Sequence, residues 1–249
     1  MELAQRYPTA YDGIAASAPA IHLTSIATGI YVPQQHMNVL GEYPYPCEFD
    51  AIRNAAVEAC DKLDGVLDGV VGDVEGCQAA FDPFGLVGES VDCPQAGDGV
   101  QVPISVAAAS VANSSWTDGK NSVGQTQWYA FSPTTDLTGN SLGQLSTALT
   151  DCSGGNGCVG YPQPLGSEWI RFFVAQDPDF DVTSLTMDEF ISRTHDTSVE
   201  LAFANSDDPN LSAFRDAGGK LVAFHGLVST HDCSLGFYSI HQRGDEHDS

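Results

Sequence analysis

Apolar and polar residues near the two ends of the chain follow the patterns of short helices and strands. The segment "ELAQRYP" predicts a helix that ends before Pro8, and the small apolar run "GIAASAPAI" after it predicts a buried strand. Towards the other end, "NLSAFRDAGG" predicts a helix that closes on glycines, and "KLVAFHG" predicts a second buried strand that ends in a turn. Helices that alternate with strands favour an α/β core.

Between these ends, one helix is clear and a long stretch has little regular pattern. The segment "EFDAIRNAAVEACDKL" predicts an amphipathic helix, because its apolar residues recur at spacings of three and four: Phe49, Ile52, Ala56, Ala59 and Leu63. From about 78 to 165 the chain is rich in Gly, Ser, Thr, Pro and Asp, which is typical of an irregular insertion. Regular pattern returns in "SEWIRFFVAQ" and in "TMDEF", where Thr186 and Glu189 match a capping box.

The charge balance and the cysteines narrow the classes of partner and compartment. The chain has 33 acidic and 9 basic residues, a net charge of -24, so we expect neither nucleic acid nor an anionic membrane surface as a partner. Seven cysteines are many for a reducing cytosol and indicate an oxidising compartment. Asn113 in "NSS" and Asn210 in "NLS" match glycosylation acceptor patterns, which agrees with secretion.

An acidic loop, "CDKLDGVLDGVVGDVEGC", contains a candidate metal site. Three carboxylates within eight residues raise one another's proton affinity unless a cation neutralises them, and oxygen ligands without His or Cys favour calcium. Gly65 and Gly69 allow the backbone to turn tightly. The predicted ligands are three side chains and two backbone carbonyls: Asp61, Asp64, Asp68, Val66 and Val70. A solvated acidic turn is the alternative that the sequence leaves open.

Several segments together give the chain a family resemblance. The acidic loop and the segments "AQRYPTAYDGIAASAPA", "FDPFGLVG", "WIRFFVAQDPDFD" and "LSAFRDAGGKLVAFHG" resemble the tannase and feruloyl esterase family of secreted carboxylic ester hydrolases, over roughly residues 1–228. The resemblance implies a partial α/β-hydrolase core, at residues 1–40 and 206–249, with a large irregular calcium-binding lid insertion at residues 41–205. It also implies structural Ca²⁺ and a small phenolic ester substrate that is hydrolysed through a serine acyl-enzyme.

The cysteine pairing is only partly indicated. Sequence alone does not fix the connectivity of seven cysteines. We expect a free thiol at Cys233, in a tail that departs from the family pattern. Resemblance to the family loop, proximity and elimination, in that order, suggest three disulfides: Cys60–Cys77, Cys152–Cys158 and Cys47–Cys93.

The catalytic residues of the family are absent from the expected places. The resemblance implies a nucleophilic serine in a G-C-S-x-G-G pattern before "ELAQRYP" and a histidine in an H-C pair near the C terminus, and neither is present. The triad aspartate position after "HG" is occupied by Ser229, and Asp232 lies three residues later. The N-terminal segment also lacks the features of a signal peptide. We therefore expect a fragment that is itself inactive, with the export signal and the nucleophile upstream of Met1.

One other serine has a nucleophile-like pattern. Ser141 in "GNSLG" with Asp232 and His241 would follow the α/β-hydrolase order, but no apolar strand precedes it, so coincidence is favoured. His225 is interpreted as a packed turn residue rather than a proton carrier. His231, with His241 and His247, lies in an acidic tail that is expected to be solvated.

Aromatic residues of the insertion are candidates for the wall that recognises the acyl group, although core packing is favoured for most of them: Trp116, Trp128, Tyr129 and Phe131. The alternative function class is a non-catalytic secreted calcium-binding module. The sequence does not indicate an oligomeric state.

Overall fold

The computed structural model describes residues 1–139, 146–155 and 157–226. The α-helices in these ranges are α1 Glu2–Arg6, α2 Leu23–Leu40, α3 Pro46–Cys60, α4 Val74–Ala80, α5 Val106–Ser115, α6 Pro164–Trp169, α7 Met187–Glu200 and α8 Ser212–Asp216. The strands are β1 Gly13–Ser17, β2 Ser90–Asp92, β3 Gln101–Pro103, β4 Gly119–Lys120, β5 Thr126–Trp128, β6 Thr150–Asp151, β7 Val159–Gly160 and β8 Lys220–Phe224.

The two predicted end strands form a parallel pair. β1 pairs with β8 from Gly13 opposite Lys220 to Ser17 opposite Phe224. The predicted helices before these strands are confirmed as α1 and α8. The prediction that both strands are buried is wrong within the described residues, where Val222 is 66% and Phe224 62% exposed. The reason is that no third strand of the described chain pairs with them.

Helix α2 lies at the centre of the part of the chain from α2 to α7, which we call the helical region. It packs against α5, α6 and α7, and most of its residues are buried. Met37 of α2 belongs to an apolar cluster with residues of α3 and α5, while Tyr31 belongs to a second cluster with Phe190 of α7. One helix therefore joins two parts of the hydrophobic core. Helix α2 ends at Gly41, whose φ of +67° is the left-handed conformation that glycine favours.

The predicted amphipathic helix is confirmed as α3, but its apolar stripe is shorter than expected. Phe49, Ile52 and Ala56 are buried as predicted. Ala59 and Leu63 are exposed, because the α-helix ends at Cys60 and a tighter 3₁₀ turn, Asp61–Asp64, changes the direction of the side chains. Cys60 occupies the buried position instead.

The stretch from 78 to 165 contains more regular structure than its composition predicts. Three short antiparallel pairs lie there, β2 with β3, β4 with β5 and β6 with β7. Six of the ten residues of helix α5 are buried, and the Ser105 hydroxyl caps the helix by accepting the N–H of Ala108 at 3.0 Å. Its alanine-rich sequence has no polar and apolar alternation, so periodicity could not reveal it. The capping serine was the available signal.

Three disulfides join the cysteine pairs expected from the sequence: Cys47–Cys93, Cys60–Cys77 and Cys152–Cys158. The predicted capping box is also confirmed, since Thr186 Oγ1 accepts the N–H of Glu189 and the Glu189 carboxylate accepts the N–H of Thr186. In the described part of the chain, no helix has the length and apolar character needed to cross a membrane.

Candidate functional site

Parallel strands bring the residues that follow them to one edge of a sheet, and ligands of α/β proteins bind outside this carboxyl edge. Ala18 follows β1 and has a φ of +45°, a conformation that is strained for a residue with a Cβ. Its N–H bonds to the carbonyl of Phe224, the last residue of β8, at 2.8 Å. Strained backbone of this kind is concentrated at functional sites, which makes the carboxyl edge of β1 and β8 the candidate site.

A histidine–carboxylate pair lies just beyond this edge. His22 Nδ1 is 3.0 Å from Asp207 Oδ2, and the His22 side chain is 14% exposed. The Tyr129 ring lies against it, with 5.1 Å between the ring centroids and an angle of 41° between the rings. The pairing of His22 with Asp207 is not apparent from the sequence, because 185 residues separate them. The available signal was a titratable residue shortly after a predicted strand.

Hydrogen bonds beside the His22–Asp207 pair join the start of the helical region to its end. Ser206 N donates to Ile21 O at 2.8 Å, and Thr24 N donates to Asn205 Oδ1 at 3.2 Å. Gln5 of α1 donates to Ser206 O at 2.9 Å. We call this set of bonds the neck. It fixes His22 and Asp207 beside each other, while the domain boundaries at 40/41 and 205/206 stay predictions.

Seven residues that the sequence analysis discussed as catalytic alternatives, tail histidines or a free thiol lie outside the described residues: Ser141, Ser229, His231, Asp232, Cys233, His241 and His247. His225 is described and lies directly after β8, at the carboxyl edge. Its Nδ1 bonds to the carbonyl of Gly226 at 2.9 Å, which agrees with a role in the turn.

A serine–histidine contact is present inside the helical region. His36 Nε2 of α2 is 2.9 Å from Ser110 Oγ of α5, and burial lowers the pKa of His36. Ser110 lies in the middle of a helix rather than on the strand-to-helix turn of a nucleophile elbow. No carboxylate bonds to His36 in the described part of the chain. The contact therefore joins two helices and lacks the third member of a catalytic triad.

The acidic loop is folded around its own carboxylates. Asp61 Oδ1 accepts the N–H groups of Asp68 and Gly69 at 3.2 and 3.0 Å. Asp64 accepts the N–H of Val66 at 2.9 Å and that of Gly72 at 2.7 Å, and these bonds lower the pKa of its carboxyl. The loop is exposed, and Cys60–Cys77 closes it from the buried side.

The donor types of this loop suit calcium, but the side chains alone do not form a ligand set. Gly65 and Gly69 have φ values of +91° and +77°, so the tight backbone turns expected from the sequence are present. Within the described ranges, no three His, Cys, Asp or Glu side chains lie in a group that could hold a metal ion. The predicted set also relied on two carbonyls, those of Val66 and Val70. Calcium at this loop stays a prediction.

Three of the four aromatic candidates are core residues. Trp116, Trp128 and Phe131 are at most 8% exposed and belong to the two apolar clusters. Tyr129 is only partly buried and contacts His22 at the carboxyl edge. Of the four, Tyr129 is thus the one that the structure places beside the candidate site.

Comparison with known families decides the family. Residues 1–238 match the family model described as "Tannase and feruloyl esterase". The chain belongs to this family. The match continues ten residues past 228, so the expectation that the tail departs wholly from the tannase and feruloyl esterase pattern after that residue is wrong.

Relatives and solved structures agree with the tannase and feruloyl esterase family. A probable feruloyl esterase from Arthroderma benhamiae is 34% identical over 228 residues, which is 90% of this chain and 40% of that protein. A tannin acyl hydrolase from Aspergillus niger has a TM-score of 0.79 at 24% identity, covering 96% of this chain and 43% of its own. Feruloyl esterase B from Aspergillus oryzae has a TM-score of 0.73 at 18% identity, covering 99% and 45%.

These likenesses show the fold and confirm the α/β class. The chain spans about two fifths of the length of the curated feruloyl esterase that it matches at 34% identity.

Proposed function

We propose that this chain is part of a carboxylic ester hydrolase of the tannase and feruloyl esterase type, which cleaves small phenolic acid esters through a serine acyl-enzyme. The family assignment supports the reaction class. One observation carries the proposal to particular residues: the His22–Asp207 pair and the Tyr129 ring lie together at the carboxyl edge of β1 and β8. We assign the strand pair to an α/β-hydrolase core and the helical region to a lid over it.

In this proposal Tyr129 forms the wall against which the aromatic acyl group packs. A partly buried tyrosine offers an apolar ring face and a polar tip, which suits a phenolic ring. Asp207 holds the His22 imidazole in one orientation beside that wall. None of these three residues is the nucleophile, and all of them act in binding.

Residues 1–249 alone are proposed to be inactive. Acyl transfer needs an activated nucleophile as well as a pocket. Among the described residues, the serine–histidine contact of Ser110 with His36 has no orienting carboxylate.

The test uses the native protein as its source produces it, with methyl ferulate and methyl gallate as substrates and 4-nitrophenyl acetate as a small-acyl reference. We expect Tyr129→Ala to lower kcat/KM for the aromatic esters about tenfold, the effect of roughly 1.4 kcal/mol of lost contact, and to change acetate hydrolysis little. Tyr11→Ala is the matched control, because Tyr11 is exposed and precedes β1 at the opposite edge. A native, folded protein that hydrolyses none of these esters would refute the proposal, and equal losses on all three esters would refute the role of Tyr129.

We also propose that the acidic loop binds one structural Ca²⁺, held by the carboxylates and carbonyls predicted from the sequence. The ion would neutralise three carboxylates that lie in one exposed loop. A ligand bound only by the folded state raises stability, by about 2.7 kcal/mol at one hundred times its Kd. Chelation should therefore lower the Tm.

Asp64→Asn should remove the effect of chelation on the Tm. Asp151→Asn is the matched control, because Asp151 is an exposed aspartate outside the loop whose pKa is also lowered, by its bonds to Ser153. Metal analysis that finds no bound calcium in the folded protein would exclude the site.

Secretion is part of the same proposal. Three disulfides are typical of proteins that mature in an oxidising compartment. If the native protein bound calcium and hydrolysed no ester, the non-catalytic secreted calcium-binding module would be the function to adopt.

A further inference from the structure

Asn113 of α5 lies at the edge of a cavity of about 380 Å³ in the helical region. The residue is exposed, and it begins the N-glycosylation acceptor sequence Asn113-Ser114-Ser115. Its backbone carbonyl accepts the Thr117 hydroxyl at 2.9 Å, whereas its side-chain amide has no hydrogen bond in the described part of the chain. The nitrogen to which an N-linked sugar is attached is therefore accessible beside the cavity.

The end of α5 places aromatic surface next to this nitrogen. Trp116 N donates to the carbonyls of Ala112 and Asn113 at 3.1 and 3.2 Å, so the helical turn continues to Trp116. Residues three positions apart lie on the same face of a helix, and both Asn113 and Trp116 line the cavity. Phe81, which follows α4, lines it too, with 5.9 Å between its ring centroid and that of Trp116. A sugar on Asn113 would meet this surface directly.

The size and the lining of the cavity suit one N-acetylglucosamine, the first ring of an N-linked glycan. A volume of about 380 Å³ is near the lower limit for small-molecule sites, roughly 300 Å³, and fits one ring better than a longer chain. The faces of a sugar ring that carry C–H groups pack against aromatic rings. Asp118 and Lys120, which are exposed and also line the cavity, can bond the ring hydroxyls.

A covalent link makes such a contact effective even if it is weak. A group on a short tether has an effective concentration in the millimolar range or above, so a contact too weak to capture a free sugar is still formed. The unfolded chain carries the same sugar but has no cavity. The contact therefore stabilises the folded state alone.

We propose that Asn113 carries an N-linked glycan whose first N-acetylglucosamine occupies this cavity and packs against Phe81 and Trp116. The glycan is then a part of the folded helical region and not only a mark of export. This inference rests on the proposed secretion, because N-linked glycans are attached in the secretory pathway, and it is independent of the proposed ester hydrolysis.

Peptide mass spectrometry of the native protein, as its source produces it, tests the attachment. We expect a glycan on Asn113. The second acceptor, Asn210, separates this inference from the proposed secretion. A glycan on Asn210 together with an unmodified Asn113 would overturn the inference and leave secretion standing. A protein with no glycan on either residue would overturn the inference and also remove one support for secretion.

Thermal unfolding of the glycosylated protein tests the contact. Asn113→Gln should lower the Tm by about 2 °C, because the sugar no longer stabilises the folded state. Asn210→Gln is the matched control, since Asn210 is exposed and does not line the cavity, and it should leave the Tm unchanged. In protein from a host without N-glycosylation, Asn113→Gln should also leave the Tm unchanged. Equal Tm values for the glycosylated wild type and Asn113→Gln would overturn the proposed contact.

Two further measurements identify the part of the glycan that acts. An endoglycosidase that leaves only the first N-acetylglucosamine should leave the Tm unchanged, and a fall to the value of Asn113→Gln would overturn the role of the first ring. Phe81→Leu removes one aromatic ring from the lining, so Asn113→Gln should lower the Tm less in this variant than in the wild type. An undiminished effect of Asn113→Gln would show that the sugar does not pack against Phe81.

Discussion

The three disulfides close loops of different length, and loop length sets how much each should stabilise the protein. The sequence separations are 46 for Cys47–Cys93, 17 for Cys60–Cys77 and 6 for Cys152–Cys158. Loop-closure entropy in the unfolded chain then gives contributions of about 4, 3 and 2 kcal/mol in that order. Replacing each pair by two alanines tests this ranking.

Packing adds a second contribution that must be separated from loop length. The cysteines of the two longer loops are buried, between 0% and 7% exposed, whereas Cys152 and Cys158 are half-buried. Cys→Ala changes in the buried pairs also remove side-chain contacts, by similar amounts. The difference between the two buried pairs therefore reports loop length. It should be at most about 1 kcal/mol, because the Cys60–Cys77 loop lies inside the Cys47–Cys93 loop and shortens it.

Urea unfolding, followed by the fluorescence of the three tryptophans, measures the free energy of unfolding of each variant. Excess chelator is present throughout, so that loss of calcium from the loop closed by Cys60–Cys77 does not add to the difference. We expect the largest loss for the Cys47–Cys93 pair and the smallest for Cys152–Cys158. If the variant without Cys152–Cys158 lost as much stability as the variant without Cys47–Cys93, chain entropy would not be the source of the stabilisation.

Three further predictions concern single residues. Burial lowers the pKa of His36, so this side chain is protonated at a higher pH in the unfolded chain than in the folded one. The free energy of unfolding should therefore fall as the pH drops from the ordinary histidine pKa to the lower folded value. His36→Gln should flatten this part of the pH curve in urea titrations. Thr186→Ala removes the cap of α7 and should cost about 1 kcal/mol in thermal unfolding. Gly119→Ala would place a Cβ against the Trp128 ring and should cost about 1 to 3 kcal/mol, whereas Gly85→Ala, with open space around it, should be neutral in the same assay.

Local patterns predicted the elements whose cause is local. The strands β1 and β8, the helix α8 and its glycines, and the cap of α7 all follow from residues within a few positions of one another. The turns at Gly65 and Gly69 belong to the same class. Such features need no knowledge of the rest of the chain.

Features that depend on distant residues were not predictable in this way. The pairing of His22 with Asp207 depends on the neck, which joins segments that are far apart in sequence. The burial of α5 depends on α2 and α3 packing against it, because its own sequence has no apolar face that differs from a polar one. The exposure of Val222 depends on which strands are available to pair with β8.

The neck also has a consequence for the order of folding. β1 pairs with β8 across roughly two hundred residues, and closing so long a loop in an unordered chain is entropically unfavourable and slow. Once the helical region has formed, its two ends lie side by side, and the strands are already close. We therefore expect strand pairing to follow helix packing. Ala16→Gly in β1 should then speed unfolding in stopped-flow kinetics and leave the refolding rate almost unchanged, while a slower refolding rate would place the strand pair in the folding nucleus.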